Sequence, residues 1–403
     1  MKIAVIVTEF PKSTETFIYR DLMKFIELGH EVRLYHVAAW RHSQTLHGFA
    51  EPLRERVRSI PLLGRESLVA CASGVARRPL AMAAIVWRIL TAYAPLPRIA
   101  AKSLALVPKA LAIAADAKEW GAEHVHAEFA GHPATAAWIG RRMGGLPYSV
   151  SCRAHDIFRT QRLLDAKLSE AGGIRTVSEF GAAFLHRTVP AIAERSIQVI
   201  HSSVDTARID PVDAAPPTDP FRILYVGALE PKKGVEYLLD ALSAVGEPLG
   251  NWQLDLIGSG PSADALKAKA ASLGDRVNFR GMQPFEVVAE SYRTASVCVA
   301  PSVIGPSGRQ EGIPNVMIEA LAYQRPAITT AISGIPELIR DGETGLLVPQ
   351  RDSAALGQAL LRIFSDPAAA LEMARRGRRH VEQEFDLTAN ASRQLAMMAA
   401  ATT

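Results

Sequence analysis

Two carboxylates, Glu311 and Glu319, stand in the segment Gly305-Pro-Ser-Gly-Arg-Gln-Glu311-Gly312-Ile313-Pro314-Asn315-Val316-Met-Ile-Glu319. Pro314 suits the first turn of a helix, so the spacing places Glu311 in the loop before that helix and Glu319 in its second turn. A helix start offers N–H groups without intrahelical acceptors and a partial positive charge, a ready site for a diphosphate. Each carboxylate can accept two hydrogen bonds from a sugar diol. Two surface glutamates would show the same spacing, so the pair needs context.

Three further segments supply it. Val226-Gly227-Ala228-Leu229-Glu230-Pro231-Lys232-Lys233-Gly234 follows an apolar β-branched run and precedes a helical pattern. Lys233 can set a point charge on a phosphate, or the lysine pair is a solvated turn. Leu256-Ile257-Gly258-Ser259-Gly260-Pro261 ends another apolar run, where Gly258 and Gly260 let a ligand approach the backbone. Met282 follows the run at 276–280, and Ser333-Gly334-Ile335-Pro336 follows the run at 326–329. All lie where the carboxyl ends of parallel strands are expected, the usual ligand side of an open α/β sheet.

In the first half, Glu15 and Thr16 follow the first apolar run, either as acceptor-side groups or as helix caps. His124-Val125-His126 reads as strand, with the two rings expected on opposite sides and therefore unable to share a metal; His126 is a candidate to face a ligand cleft.

These positions require a scaffold of alternating elements. Residues 2–7, 31–37, 122–126, 148–151, 173–177 and 197–200 read as strands, with a helix at 14–28 that Ser13 would cap and Gly29 would end. After the proline-rich stretch 210–220, taken as an interdomain linker, the alternation restarts. Strands are expected at 221–226, 252–257, 276–280, 296–300 and 326–329, with helices at 234–245, 262–273 and 314–323. Such a series implies two α/β domains, each a parallel sheet covered by helices. The boundaries expected are 1–204, 205–385, and a last helix in 386–403 that returns to the first domain.

The chain has 403 residues and a formal net charge of +4, too mild for a nucleic-acid partner. Its three cysteines, Cys71, Cys152 and Cys298, suggest no disulfide framework, and a reduced cytoplasmic compartment is expected. The N-terminus shows no export signal, and no run nears the roughly 18 apolar residues of a membrane span. A nicotinamide enzyme would need Gly-x-Gly-x-x-Gly after a first strand, and residues 8–17 contain no glycine. Residues 54–118 hold eleven basic side chains against three acidic ones, interleaved with Leu80, Met82, Ile85, Val86, Trp87 and Leu90. That segment is either an amphipathic surface for an anionic membrane, or ordinary helices with a solvated arginine face.

Together these segments resemble the family 4 retaining glycosyltransferases, in particular the exopolysaccharide and colanic-acid branch, over nearly the whole chain. The likeness rests on Gly227 to Gly234, Glu311 to Glu319 and Gly342-Glu-Thr-Gly345-Leu-Leu-Val348. In the first half it rests on Phe10-Pro-Lys-Ser-Thr-Glu15-Thr16-Phe17 and on Pro147 through Asp156-Ile157-Phe158. It implies the GT-B fold, with two Rossmann-like doubly wound domains facing each other across a cleft. It implies a metal-independent hexosyl transfer, without a cofactor, from a nucleotide-diphosphate sugar to an acceptor glycan linked to a polyprenyl diphosphate at the inner face of the membrane.

By the resemblance, Glu319 binds ribose hydroxyls, Glu311 holds the donor sugar, Lys233 neutralises the leaving diphosphate, and the segment Gly312 to Val316, with the N–H groups of Ile313, Asn315 and Val316, lies near the diphosphate or sugar. Glu15, Thr16, His126 and Asp156 fall on the acceptor side. Two departures follow. Ala228 stands where the family commonly has an arginine, which Lys232 could replace. Arg153 stands where the branch usually has a histidine, and His155 lies two residues on, so either of these two serves near the reacting centre. A binding protein without turnover, or an epimerase on the same fold, are the alternative readings.

Overall fold

A computed structural model describes residues 1–12, 15–38, 48–305, 308 and 310–402, apart from the side chain of His155. The chain divides into two compact units, Met1–His201 with Thr388–Thr403, and Ser202–Leu387.

The first unit is built on six strands: β1 (Lys2–Val7), β2 (Glu31–His36), β3 (His124–Glu128), β4 (Tyr148–Cys152), β5 (Gly173–Thr176) and β6 (Gln198–Val199). They form one parallel sheet in the order β2-β1-β3-β4-β5-β6. A parallel sheet covered on both faces needs strands buried throughout, which is why Ile3 to Val7 is an unbroken buried run. The first helix spans Thr16–Glu27 and ends before Gly29, whose φ of +85° breaks the helical path. Ser13, expected as its cap, lies outside the described residues; Glu15 occupies the cap position and makes no capping side-chain bond.

The two faces of this sheet differ. Val125, Ala127, Val150, Cys152 and Ile174 enter one large apolar cluster. The alternate residues of the same strands are polar and buried: His124, His126, Glu128, Ser149, Ser151 and Arg175. The register sets His126 beside Ser149, Glu128 beside Ser151, and Ser151 beside Arg175, so these side chains form one continuous seam. Arg175 reaches Asp21 of the first helix at 3.4 Å and Gln394 of the C-terminal helix Leu387–Ala400 at 2.5 Å. Gln394 also donates to Asp21 at 3.1 Å. Ala391, Leu395, Met397 and Met398 of the same helix complete an apolar cluster with Ile3, Val5 and Val7. The last helix is thereby part of the first unit.

The expectation that His124 and His126 face opposite sides fails. Residues two apart on a strand share a face, and both rings bond the Ser149 hydroxyl, at 2.8 and 2.7 Å.

The second unit carries β7 (Phe221–Val226), β8 (Trp252–Ile257), β9 (Val277–Gly281), β10 (Val297–Ala300), β11 (Ala327–Thr330) and β12 (Leu346–Val348). Their parallel order is β12-β11-β10-β7-β8-β9. Residues 210–220 are not a linker between units but belong to this one. Arg325 donates to the Val212 carbonyl at 2.8 Å, and Gln324 and Arg375 bind Asp213 at 2.8 and 2.7 Å. The chain passes between units at residues 201–202 and 387–388 instead.

Removing one member of a buried ion pair strands the other without solvent. Asp21→Ala, which removes the carboxylate 3.4 Å from the buried Arg175 guanidinium, is expected to lower unfolding free energy by about 3 kcal/mol in urea denaturation.

Candidate active site

The loops at the carboxyl ends of β7, β8, β9 and β10 are fastened to one another by backbone bonds. Gly227 N–H donates to Ile257 O, Leu229 to Ser259 O, Gly258 to Gly281 O and Val303 to Lys232 O, all at 2.8–3.0 Å. The β7 and β8 loops cross so closely that a Cβ on Gly258 would stand 1.9 Å from the Gly227 carbonyl oxygen. One on Gly260 would stand 2.4 Å from that of Leu229. These glycines permit backbone–backbone contact between the two loops. Gly234, at φ +66°, likewise has the Pro301 carbonyl where a Cβ would be, at 1.9 Å. Met282, just past β9, is 61% exposed.

This fastening presents the single turn Pro231–Lys233 to Glu311. Lys232 Nζ lies 2.7 Å from Glu311 Oε1, and Lys233 Nζ lies 2.8 Å from Oε2. Burial opposes ionisation of this carboxyl, but the two ammonium groups outweigh it and hold the group at about 2. Three residues later the helix Asn315–Ala322 begins after Pro314, with no side-chain cap and no acid in its first turn. Its opening N–H groups, at Asn315 and Val316, have no acceptor within the helix. Gly312 and Ile313 lead into it, and Glu319 is buried one turn further on. Ala228, at the position without the family's arginine, uses its carbonyl to accept a bond from Tyr225 Oη at 2.8 Å.

Predicted residues of the first unit gather at Arg153, in a different role from the one expected. Its guanidinium is buried, donates to Glu128 Oε2 at 3.1 Å, and stacks on Phe17 at 4.3 Å. Burial works against the Glu128 charge, yet Arg153 and His126 keep that carboxyl ionised far below the usual range. His126 is fully buried between Ser149 and Ser151, at 2.7 and 3.0 Å, and is closed to any ligand. Asp156 accepts the backbone N–H groups of Arg153 and Ala130, which ties the loops after β3 and β4 together. Burial raises its carboxyl to about 6. Glu15 is buried and paired with Lys12 at 2.8 Å; its second oxygen has no hydrogen-bond partner among the described residues, and burial raises its pKa. Thr16 opens the first helix, and the His155 side chain lies outside the described residues. Sequence reasoning missed Glu128, Asp21, Arg175 and Gln394. The polar alternation His124-x-His126-x-Glu128 in a buried strand was the available signal.

Comparison with known proteins follows this geometry. Each unit holds one six-stranded parallel sheet, and solved structures of the GT-B fold match the chain from end to end. Sucrose-phosphate synthase from Thermosynechococcus elongatus matches at TM-score 0.73 and 23% identity, covering 100% of both chains. Anabaena HepE in complex with UDP matches at TM-score 0.68 and 17% identity, covering 99% of each. Residues 220–366 match the model of the family described as Glycosyl transferases group 1. WcaL of Escherichia coli (strain K12), named for colanic acid biosynthesis as a glycosyltransferase, is 27% identical over 96% of both chains. The amylovoran biosynthesis glycosyltransferase AmsK of Erwinia amylovora is 34% identical over 41% of this chain and 42% of its own. Residues 220–366 therefore carry a glycosyl transferases group 1 domain.

The Glu311 pairing has a defined pH signature. Its folded pKa of about 2 lies below the unfolded value of about 4.3, so its stabilisation is complete above pH 5 and is lost as pH falls through 4 toward 2. Urea denaturation of wild type against Glu311→Gln should show a constant difference from pH 5 to 8, which shrinks by about 3 kcal/mol toward pH 2.

Proposed function

We propose that this chain is a retaining hexosyltransferase that moves a sugar from a nucleotide-diphosphate donor to a lipid-linked glycan of exopolysaccharide assembly. The observation that carries the reading is the ion triad Lys232–Glu311–Lys233 beside an uncapped helix start. The naming of WcaL and AmsK for colanic acid and amylovoran biosynthesis supports the exopolysaccharide class, and HepE with UDP and UDP-glucose supports a nucleoside-diphosphate donor.

The triad suits an exchange of partners. Without donor, Glu311 and the two lysines satisfy one another. With donor bound, sugar hydroxyls donate to Glu311, and the released ammonium groups turn to the diphosphate. The first-turn N–H groups of Asn315 and Val316 hold the same anion, and Glu319 takes the ribose hydroxyls. The bond from the anomeric carbon to the diphosphate oxygen breaks. The acceptor oxygen bonds the anomeric carbon on the same face, and the acceptor's proton passes to the departing phosphate oxygen. Stabilising that leaving charge is the main task, and Lys232 supplies part of the charge absent at Ala228.

The test is a panel of nucleotide sugars, followed by calorimetry and donor hydrolysis. One donor should bind and turn over slowly. Glu311→Ala and Glu319→Ala should abolish both, and Lys233→Ala should slow turnover by about 10²–10³ while affecting affinity less. A donor that binds tightly but is never transferred or hydrolysed would mark a binding protein and overturn the reading.

A further inference from the structure

Helices normally turn one apolar face inward and a polar face to water. In the first unit, the helix Pro79–Ala92 departs from this. Met82, Ile85 and Ile89 are buried, as expected of an inner face. The opposite face carries Leu80, Ala83, Ala84, Trp87 and Leu90, all exposed, with Leu80 at 86% and Trp87 at 69%. The preceding helix Arg65–Arg77 repeats the pattern, with Leu68, Val69 and Val75 exposed, and Leu63 ahead of it is 67% exposed. The two helices together have the length and apolar content of a membrane span, but they bend by 113° where they meet. Large exposed apolar side chains gathered on two adjoining helices mark an interaction site.

The charge around it narrows the partner. From Ser67 to Ala115 there is no acidic residue, while Arg77, Arg78, Arg88, Arg98, Lys102 and Lys109 all fall within it. Arg88 is paired with Asp165, and Lys109 is buried. Arg65 and Arg77 are exposed, and no ion pair holds either of them among the described residues. Basic groups flanking an apolar helical face match an anionic lipid surface, where the apolar residues enter the acyl boundary and the arginines meet the headgroups.

We infer that the bent helix pair 65–92 is a monotopic docking surface for an anionic lipid bilayer, lying in the interface rather than crossing it. This inference stands independently of the donor reading, since none of its residues belongs to the second unit.

Sedimentation of the full chain with vesicles tests it. Phosphatidylcholine–phosphatidylglycerol vesicles should bind the protein at low salt, at least about tenfold better than phosphatidylcholine alone, and added salt should weaken binding. Leu80→Glu with Trp87→Glu should remove binding, and Arg65→Glu with Arg77→Glu should weaken it by about tenfold or more. Both pairs replace exposed side chains, and unchanged thermal melting and donor hydrolysis check that fold and donor site remain. Equal binding to both vesicle types, no binding, or binding untouched by the substitutions would overturn the proposal. So would a dimer that Leu80→Glu with Trp87→Glu converts to monomer, since the face would then belong to a second copy of the chain.

Discussion

A carboxylate largely removed from water stays charged only where cations compensate it, and the second unit is arranged around that requirement at Glu311. Its two oxygens are each met by a lysine. Those lysines stand on a single turn whose position depends on Val303 N–H bonding the Lys232 carbonyl, and on a glycine at 234 that admits Pro301. The loop containing that turn is in turn pinned by the crossing of Gly227 over Gly258. Sheet, glycines and charges are therefore one device. The strand ends bring the loops together, the glycines let them touch, and the touching loops deliver two positive charges beside a helix start that already favours anions.

The first unit meets the same constraint with different residues. Arg153 compensates Glu128, and Arg175 faces Asp21, within a polar seam that occupies one whole face of the central strands. The seam is also what Gln394 of the last helix recognises. A polar face under two helices is an expensive arrangement compared with an apolar one. Its consequence here is specificity of docking, because only a helix that offers a partner to Arg175 and Asp21 satisfies the groups beneath it. The Arg153 guanidinium belongs to the same seam through its acidic partner Glu128.

The elements most legible in the sequence were strands rich in apolar side chains. Residues 2–7, 221–226 and 252–257 form strands over the spans read from their apolar runs alone. The convergence of Lys232, Lys233 and Glu311 was foreshadowed by their placement after strands, although 78 residues separate Lys233 from Glu311. Features that depend on a distant partner were not legible. The stretch 210–220 has the composition of a linker, and only Arg325, Gln324 and Arg375 reveal that it is bound to the second unit. Arg153 offered no sign of its partner 25 residues earlier. His126 was expected to face a cleft, but its ring is buried between Ser149 and Ser151 on the same face as His124.

The central claim is that the loop 227–234 and the helix start after Pro314 together hold a nucleoside diphosphate. Amide hydrogen exchange with and without saturating nucleoside diphosphate tests it most directly. The account predicts slowed exchange at Gly312, Ile313, Asn315 and Val316 and across Gly227–Gly234. Protection confined to the first unit, or binding that leaves these amides unchanged, would contradict it.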